Sequence, residues 1–455
     1  MKHGTLIIAT PGIVRFIWRV PRIVPFAALG TVCLFGGMIA SAAPPTDFDS
    51  EIARHAQSML NEGKKIFRYD TFGSEAFWGN GLQLHKAIAG EKHGGVGPGV
   101  SPKTALSVGL KVDADALPES LKAQLAAGKV DLDDPATTIA LLKLNAVVGV
   151  TAFANADGSV KSMGIQCALC HSTVDNSFAP GIGKRLDGWA NRDLNVGAIV
   201  SLAPNLKPFT DLLGVDVETV KKVLASWGPG RFDAELDKDG KALRPDGKQA
   251  GTLIPPAFGL AGVNLHTWTG FGSVPYWNAY VGATEMHGAG TFFDARLNDK
   301  DQYPVAAKSG SANTRGTPDR ITAKLAPLHL YQLSIPAPAA PEGSYDKAAF
   351  ERGKMLFDGA AKCATCHVPP LFTEPGNNLH TPAEIGVDSF QADRSPTHMY
   401  RTAPLAGLWT HQKSGFYHDG RFATLSDVVN HYDDHLKLNL STAQKNDLVE
   451  YLKGL

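Results

Sequence analysis

Every cysteine beyond residue 42 lies in one of two short stretches, and each stretch ends in a histidine. They read Cys167-Ala168-Leu169-Cys170-His171 and Cys363-Ala364-Thr365-Cys366-His367. A C-x-x-C-H run is the attachment pattern of a c-type haem. Its two thiols form thioethers with the vinyl groups, and the adjacent histidine binds the iron from the proximal side. Other chemistries fit less well. A structural zinc site takes four ligands, and each Cys-Cys-His set falls one short. A dithiol redox pair needs a βαβ setting that the flanking residues do not offer. Five cysteines in 455 residues are also too few for a disulfide-built scaffold. The chain therefore reads as a carrier of two covalently bound haem c groups. Cys167, Cys170, Cys363 and Cys366 are the attachment points, and His171 and His367 are the proximal iron ligands.

The start of the chain supports an oxidising destination. Lys2, Arg15, Arg19 and Arg22 precede an apolar run from Ile23 to Ala40, and Ala40-Ser41-Ala42 closes it. This is the layout of a signal peptide, so export to the periplasm with cleavage after Ala42 is expected. An uncleaved anchor is the alternative, because the charged region is long. No other segment approaches the roughly 20 apolar residues of a membrane span. Lys+Arg 44 against Asp+Glu 44 argues against a nucleic-acid or anionic-membrane footprint. Hydrophobic content of 44% with 19% charged residues suits a folded chain with a sizeable core.

The chain also repeats itself. Gly353-Lys354-Met355-Leu356-Phe357 ends a helical pattern shortly before Cys363, and Gly63-Lys64-Lys65-Ile66-Phe67 ends a matching one near residue 67. Val220, Val223, Leu224 and Trp227 form an apolar stripe stopped by Gly228-Pro229, and Ser441-Thr442-Ala443-Gln444 is a capping box before Leu448, Tyr451 and Leu452. A first and a last helix crossing in each unit is the expected arrangement, with Val220–Trp227 closing the first. The fold class expected is mainly α, with two cytochrome c-like helical haem domains, a small β-hairpin insertion and long loops. The domains are read as residues 43–333 and 345–455, joined by a Pro/Ala linker over 334–344. An insertion over about residues 69–165 holds the hairpin, Val147–Phe153 with Val160–Ile165 around Ala156-Asp157-Gly158. Residues 228–333 match neither unit's helices.

With these motifs in place, the chain resembles the bacterial di-haem cytochrome c peroxidases. It is similar in particular to the branch that includes the enzyme maturing the quinone cofactor of methylamine dehydrogenase. Trp268-Thr269-Gly270 matches the family's Phe-Trp-Asp-Gly element, with Thr269 in place of the aspartate. Glu285-Met286 matches its Asn-Pro-x-Glu-Met element, with Gly282-Ala283 in place of Asn-Pro. The resemblance implies that Glu285 is the peroxide-handling acid–base and that Trp268 lies between the haems. Phe416-Tyr417-His418-Asp419-Gly420 matches a further signature, and the resemblance makes His418 a support residue near the haems. Where the peroxidases carry the methionine ligand of the second iron, this chain has Tyr432. Tyr432, the neighbouring His431 and Met399 are the candidates for that place. A bridging calcium is common in that family, and here the positions expected for it, around Lys413 and Gly415, offer only backbone oxygens.

For the first iron, His266 and His287 sit beside the matched elements and are the histidines able to enter its pocket. Met163 reads as core. The resemblance implies hydrogen peroxide, or oxygen, as oxidant and a small cytochrome or cupredoxin as electron donor. Two other functions stay open. One is a non-catalytic di-haem electron carrier; the other is a di-haem oxidase or oxygenase acting on a protein or organic substrate. The attachment reading has a direct check. Exported wild-type protein is expected to keep a haem-linked peroxidase stain on a denaturing gel, and Cys363→Ala with Cys366→Ala to lose roughly half the haem per chain.

Overall fold

The closing helix Thr442–Gly454 crosses the helix Lys347–Asp358 at Gly353, where no side chain has room. A Cβ on Gly353 would lie 2.1 Å from the Asp447 carbonyl oxygen and 2.8 Å from Cβ of Tyr451. One turn on, Phe357 is 1% exposed and its ring meets Tyr451 at 5.0 Å and 59°. Local sequence fixes both helices before they meet. Asp346 caps the first by accepting from Ala349 N–H, and the Ser441–Gln444 capping box starts the second.

This is a computed structural model, and it describes residues 47–411 and 413–455. The signal peptide read over residues 1–42 lies outside the described residues. Met1–Ser50 and Glu51–Leu455 are the two units of the chain, and of the first only the opening turn of the helix Asp47–Tyr69 is described. Among the described residues no helix is long and apolar enough to cross a membrane.

The first lobe repeats the crossing with a different partner from the one expected. Gly63, on the helix Asp47–Tyr69, would place a Cβ 2.0 Å from the Pro327 carbonyl oxygen and 2.6 Å from Cβ of Tyr331. Phe67 is fully buried and its ring meets Tyr331 at 5.7 Å and 60°. The closing helix of this lobe is therefore Leu325–Ser334, not Val217–Trp227. The latter buries Val220, Leu224 and Trp227 against the short helix Val196–Val200, where Gly197 abuts the Leu224 carbonyl. An apolar stripe states that a helix has a buried face; it does not say which neighbour covers it. Leu325–Ser334 was masked by Pro327 and by apolar residues with little contrast between its faces.

The structure is mainly helical, and its strands occur in two-stranded pieces. The hairpin in the insertion pairs Val150–Ala154 with Val160–Ile165, Val150 opposite Ile165, with a register shift at Phe153/Ala154. It packs on a π-helical turn, Ala76–Gly81, at Gly79, whose Cβ would fall on Ser162 Oγ. Residues 335–346 carry no helix or strand. Because Gly353 faces a backbone carbonyl, Gly353→Leu is expected to lower stability by about 2–3 kcal/mol through forced separation of the helices. Met355→Leu, on the same helix but 68% exposed, is expected to leave the thermal midpoint nearly unchanged. Thermal unfolding of the two variants checks the pair.

Candidate functional site

In both attachment motifs one helical turn brings cysteine and histidine to the same side. His171 N–H donates to the Cys167 carbonyl at 3.1 Å, and His367 N–H to the Cys363 carbonyl at 2.9 Å. Each imidazole then meets a carbonyl through Nδ1. His171 is 3.1 Å from Pro255 O, and His367 is 3.0 Å from Phe372 O. A carbonyl can only accept, so the proton belongs on Nδ1 and Nε2 is left with the lone pair a metal needs. Burial lowers the His171 pKa to about 4, which keeps the ring neutral. Burial pushes the thiols of Cys167 and Cys170 up to about 12 and that of Cys363 to about 11. Such thiols do not ionise, so the setting disfavours thiolate zinc binding or disulfide exchange and suits neutral thioethers. The residues fit a covalently held haem at each motif.

Glu285 lies just past the helix Val274–Ala283, close enough to Cys170 to raise its thiol pKa further. Its Oε1 is buried without a hydrogen-bond partner. Burial first, then the neighbouring Asp237, holds its carboxyl well above the ordinary 4.5. Beneath it lies a charge network that sequence reasoning missed. Lys238 is 0% exposed, bonded to Glu235 Oε2 at 2.6 Å. Its ammonium sits 4.8, 5.0 and 4.7 Å from the ring centroids of Phe271, Trp277 and Tyr280. Tyr280 donates its hydroxyl to Asp237 at 3.1 Å, and burial raises Asp237 to about 6. From the other lobe, Arg394 pairs with Asp233 at 3.0 Å and Asp239 at 2.7 Å. Residues 235–239 (ELDKD) lie in the stretch 228–333 that matched neither unit's helices, and four charged residues in five carry no local sign of burial.

The insertion covers the Glu285 turn. Trp78 Nε1 donates to the Met286 carbonyl at 3.0 Å, and Phe77 stacks on His287 at 3.5 Å and 15°. Burial lowers His287 to about 4. Of the two histidines considered for the first pocket, His287 stays at this turn, whereas His266 Nε2 is engaged with Val263 O at 3.1 Å. Met163 is core, 3% exposed.

Trp268 ties together distant segments of the chain. Its Nε1 donates to Leu253 O at 3.0 Å, and its carbonyl accepts from Arg401 N–H at 3.1 Å. Leu253 N–H in turn donates to His418 O at 2.7 Å. His418 is buried, stacked on Tyr400 at 5.1 Å, and held near pKa 4 by burial. The two candidates for the second iron part company. Tyr432 lies near Cys363 and Cys366, and burial raises its phenol pKa against the opposing effect of a hydrogen bond with Tyr417. His431 instead turns to Ile385 O at 2.9 Å and stacks on His435. Adjacent positions on the helix Leu425–Leu436 point about 100° apart, so both cannot face one metal. Around Lys413 the nearby carboxylate is already paired. Asp193, the carboxylate there, is taken by Lys413 at 2.7 Å and Lys111 at 2.6 Å. That leaves calcium without the free carboxylate oxygens it prefers.

No family model and no curated protein matches the chain. Among solved structures, it is similar to a hydrazine synthase of Kuenenia stuttgartiensis pressurised with xenon. That match has 19% identity over 47% of this chain and 75% of the other, with a TM-score of 0.27. It is also similar to a MauG-like protein associated with microbial copper homeostasis. Here identity is 16% over 50% of this chain and 78% of the other, with a TM-score of 0.32. Neither likeness carries the functional argument, which rests on the residues described above.

The Glu285 environment sets a pH dependence. A carboxyl whose folded pKa lies above its unfolded 4.5 makes the folded state bind more protons, so stability is lost as pH rises above that value. Asp233, Glu235, Asp237 and Lys238 face it and stay in place in Glu285→Gln. Wild-type melting temperature is therefore expected to fall more steeply than that of Glu285→Gln as pH rises from acid to neutral and beyond. Parallel profiles in scanning calorimetry would contradict this.

Proposed function

We propose that this protein is a periplasmic di-haem c-type oxidoreductase of the peroxidase kind, acting on hydrogen peroxide at the haem of His171. The observation that carries the reading is Glu285, a buried carboxyl whose Oε1 has no hydrogen-bond partner, near the first attachment motif and with its pKa raised by burial. A bound haem supplies the iron that accepts the oxidant and exchanges electrons. The chain's own residues do the rest. Glu285, with its raised pKa, exchanges protons with the peroxide, giving one to the oxygen that leaves as water and taking one from the oxygen that stays. The two electrons and two further protons of the reduction, giving two waters in all, come from a reduced cytochrome or cupredoxin and from solvent. Pro255 fixes the His171 tautomer, and Trp268 offers an aromatic bridge from the second lobe. Tyr432, near Cys363 and Cys366, is the candidate ligand of the second iron, and an oxygen ligand there favours the ferric state.

The insertion supports a second reading. A π-helical turn against the residues that follow Glu285, with Trp78 and Phe77 fixing Met286 and His287, is the kind of irregularity found at functional sites. It could shape access for an organic or protein substrate of a di-haem oxidase. Turnover of peroxide with a reduced dye or cytochrome separates these readings from a non-catalytic carrier. Glu285→Gln is expected to slow peroxide turnover by about 10²–10⁴-fold, the usual worth of a general acid–base. An unchanged rate would remove Glu285 from the chemistry. Tyr432→Phe is expected to alter the ferric spectrum of one haem, and an unchanged spectrum would remove Tyr432 as ligand.

A further inference from the structure

Arg192 and Arg231 are two cations set together, and neither makes an ion pair, although the Asp419 carboxylate acts on Arg231 from nearby. Arg192 is 6% exposed, and its Nε and one terminal nitrogen, Nη1, make no hydrogen bond. Arg231 Nε is equally without a partner, and its Nη2 reaches only the backbone carbonyl of Asp419, at 3.3 Å. The backbone holds the two in register. Gly230 abuts Arg192, with 2.7 Å from its would-be Cβ to the Arg192 carbonyl oxygen, and Arg231 pairs with Asn195 in a parallel bridge. Burial and then Arg231 bring the Arg192 pKa down to about 10. His411, whose Nε2 is also buried without a partner, is lowered to about 3 by burial and by Arg192. It therefore adds no charge.

Nearby carboxylates are already engaged. Asp419 serves Arg421 at 2.8 Å and Arg244 at 3.4 Å, and Asp193 serves Lys111 and Lys413. A buried cation without a counter-charge costs several kcal/mol, and two facing each other cost more. Such a pair needs an anion. Its place says which kind. The loop bearing Arg192 is fastened to the first attachment motif, with Asn191 N–H on Cys170 O and Gly188 N–H on His171 O, both at 2.8 Å.

We propose that Arg192 and Arg231 form a carboxylate-binding site that takes a propionate of the porphyrin attached at Cys167 and Cys170. A planar guanidinium pairs with a carboxylate through two parallel N–H donors, and the unused nitrogens here are of that kind. The proposal rests on the di-haem reading above. Two cations beside the porphyrin favour the reduced iron, so they raise the potential of that haem relative to the same site without them.

The test is a spectroelectrochemical titration of the holoprotein with its two haems resolved, for wild type, Arg192→Gln, Arg231→Gln and the double variant. The expected result is a downward shift of one midpoint in each single variant, a larger one in the double, and no shift of the other midpoint. Arg192→Lys, which keeps the charge, is expected to shift it less than Arg192→Gln. Arg231 is the less buried of the two, so Arg231→Gln remains informative if the Arg192 variants do not fold. Unchanged midpoints together with unchanged thermal melting would overturn the proposal. Titration with acetate distinguishes the source of the carboxylate. A wild-type melting temperature that rises with acetate, and does so less in Arg231→Gln, supports a site filled from solution, whereas insensitivity in wild type with shifted midpoints in the variants supports the propionate. Haem content of the same samples separates the two hypotheses. Chains without haem at Cys167 and Cys170 would sink the di-haem reading, and the acetate arm would still report on the arginines.

Discussion

The segment Thr252–Ala257 is the strut on which both lobes depend. Leu253 N–H is given to His418 O, and Leu253 O is taken by the Trp268 indole. Ile254 N–H goes to Gly230 O, Pro255 O receives His171 Nδ1–H, and Ala257 N–H goes to Gly188 O. Five contacts reach five different parts of the chain from six residues. A buried strut of this kind must satisfy every backbone donor, because an orphaned N–H away from water costs as much as a lost hydrogen bond. Two of its residues, Pro255 and Pro256, have no N–H to satisfy. Their carbonyls remain free to accept, and Pro255 uses its own to set the tautomer of His171.

Low polarity around the site explains most of its electrostatics. Neutral states are favoured throughout: His171, His266, His287 and His418 are each lowered to about 4, chiefly by burial. The thiols and the Glu285 carboxyl move upward for the same reason. Two buried cations keep their charge through specific partners. Lys238 survives at full burial through Glu235 and three aromatic faces, and Arg394 through the paired carboxylates of Asp233 and Asp239. Arg394 also links the lobes, so the acid-rich turn below Glu285 and the second lobe are held by one guanidinium.

The helix crossings show how far sequence pattern reaches. Gly63 with Phe67, and Gly353 with Phe357, announce a close-packed face by their four-residue spacing alone. In the structure both pairs receive the same partner geometry, a backbone carbonyl at the glycine and a tyrosine ring at the phenylalanine. For the second lobe the partner was legible too, because a capping box marks the start of Thr442–Gly454. For the first lobe it was not. Val217–Trp227 displays the sharper stripe and was the natural choice, yet Leu325–Ser334 lies across Gly63.

By itself the sequence determined what is local. Covalent chemistry with fixed spacing, as in Cys167–His171 and Cys363–His367, depends only on a single helical turn, and so do caps, hairpins and amphipathic faces. Tertiary structure alone decided which charged residues leave water. Lys238, Arg192 and Arg231 look like surface residues in any local window, because burying a charge is favourable only when distant parts of the chain, or a bound anion, supply its partners. The same holds for the choice between Tyr432 and His431. The helix offers both, and only its packing against residues 363–366 and 385–386 turns one toward the attachment cysteines and the other to a carbonyl.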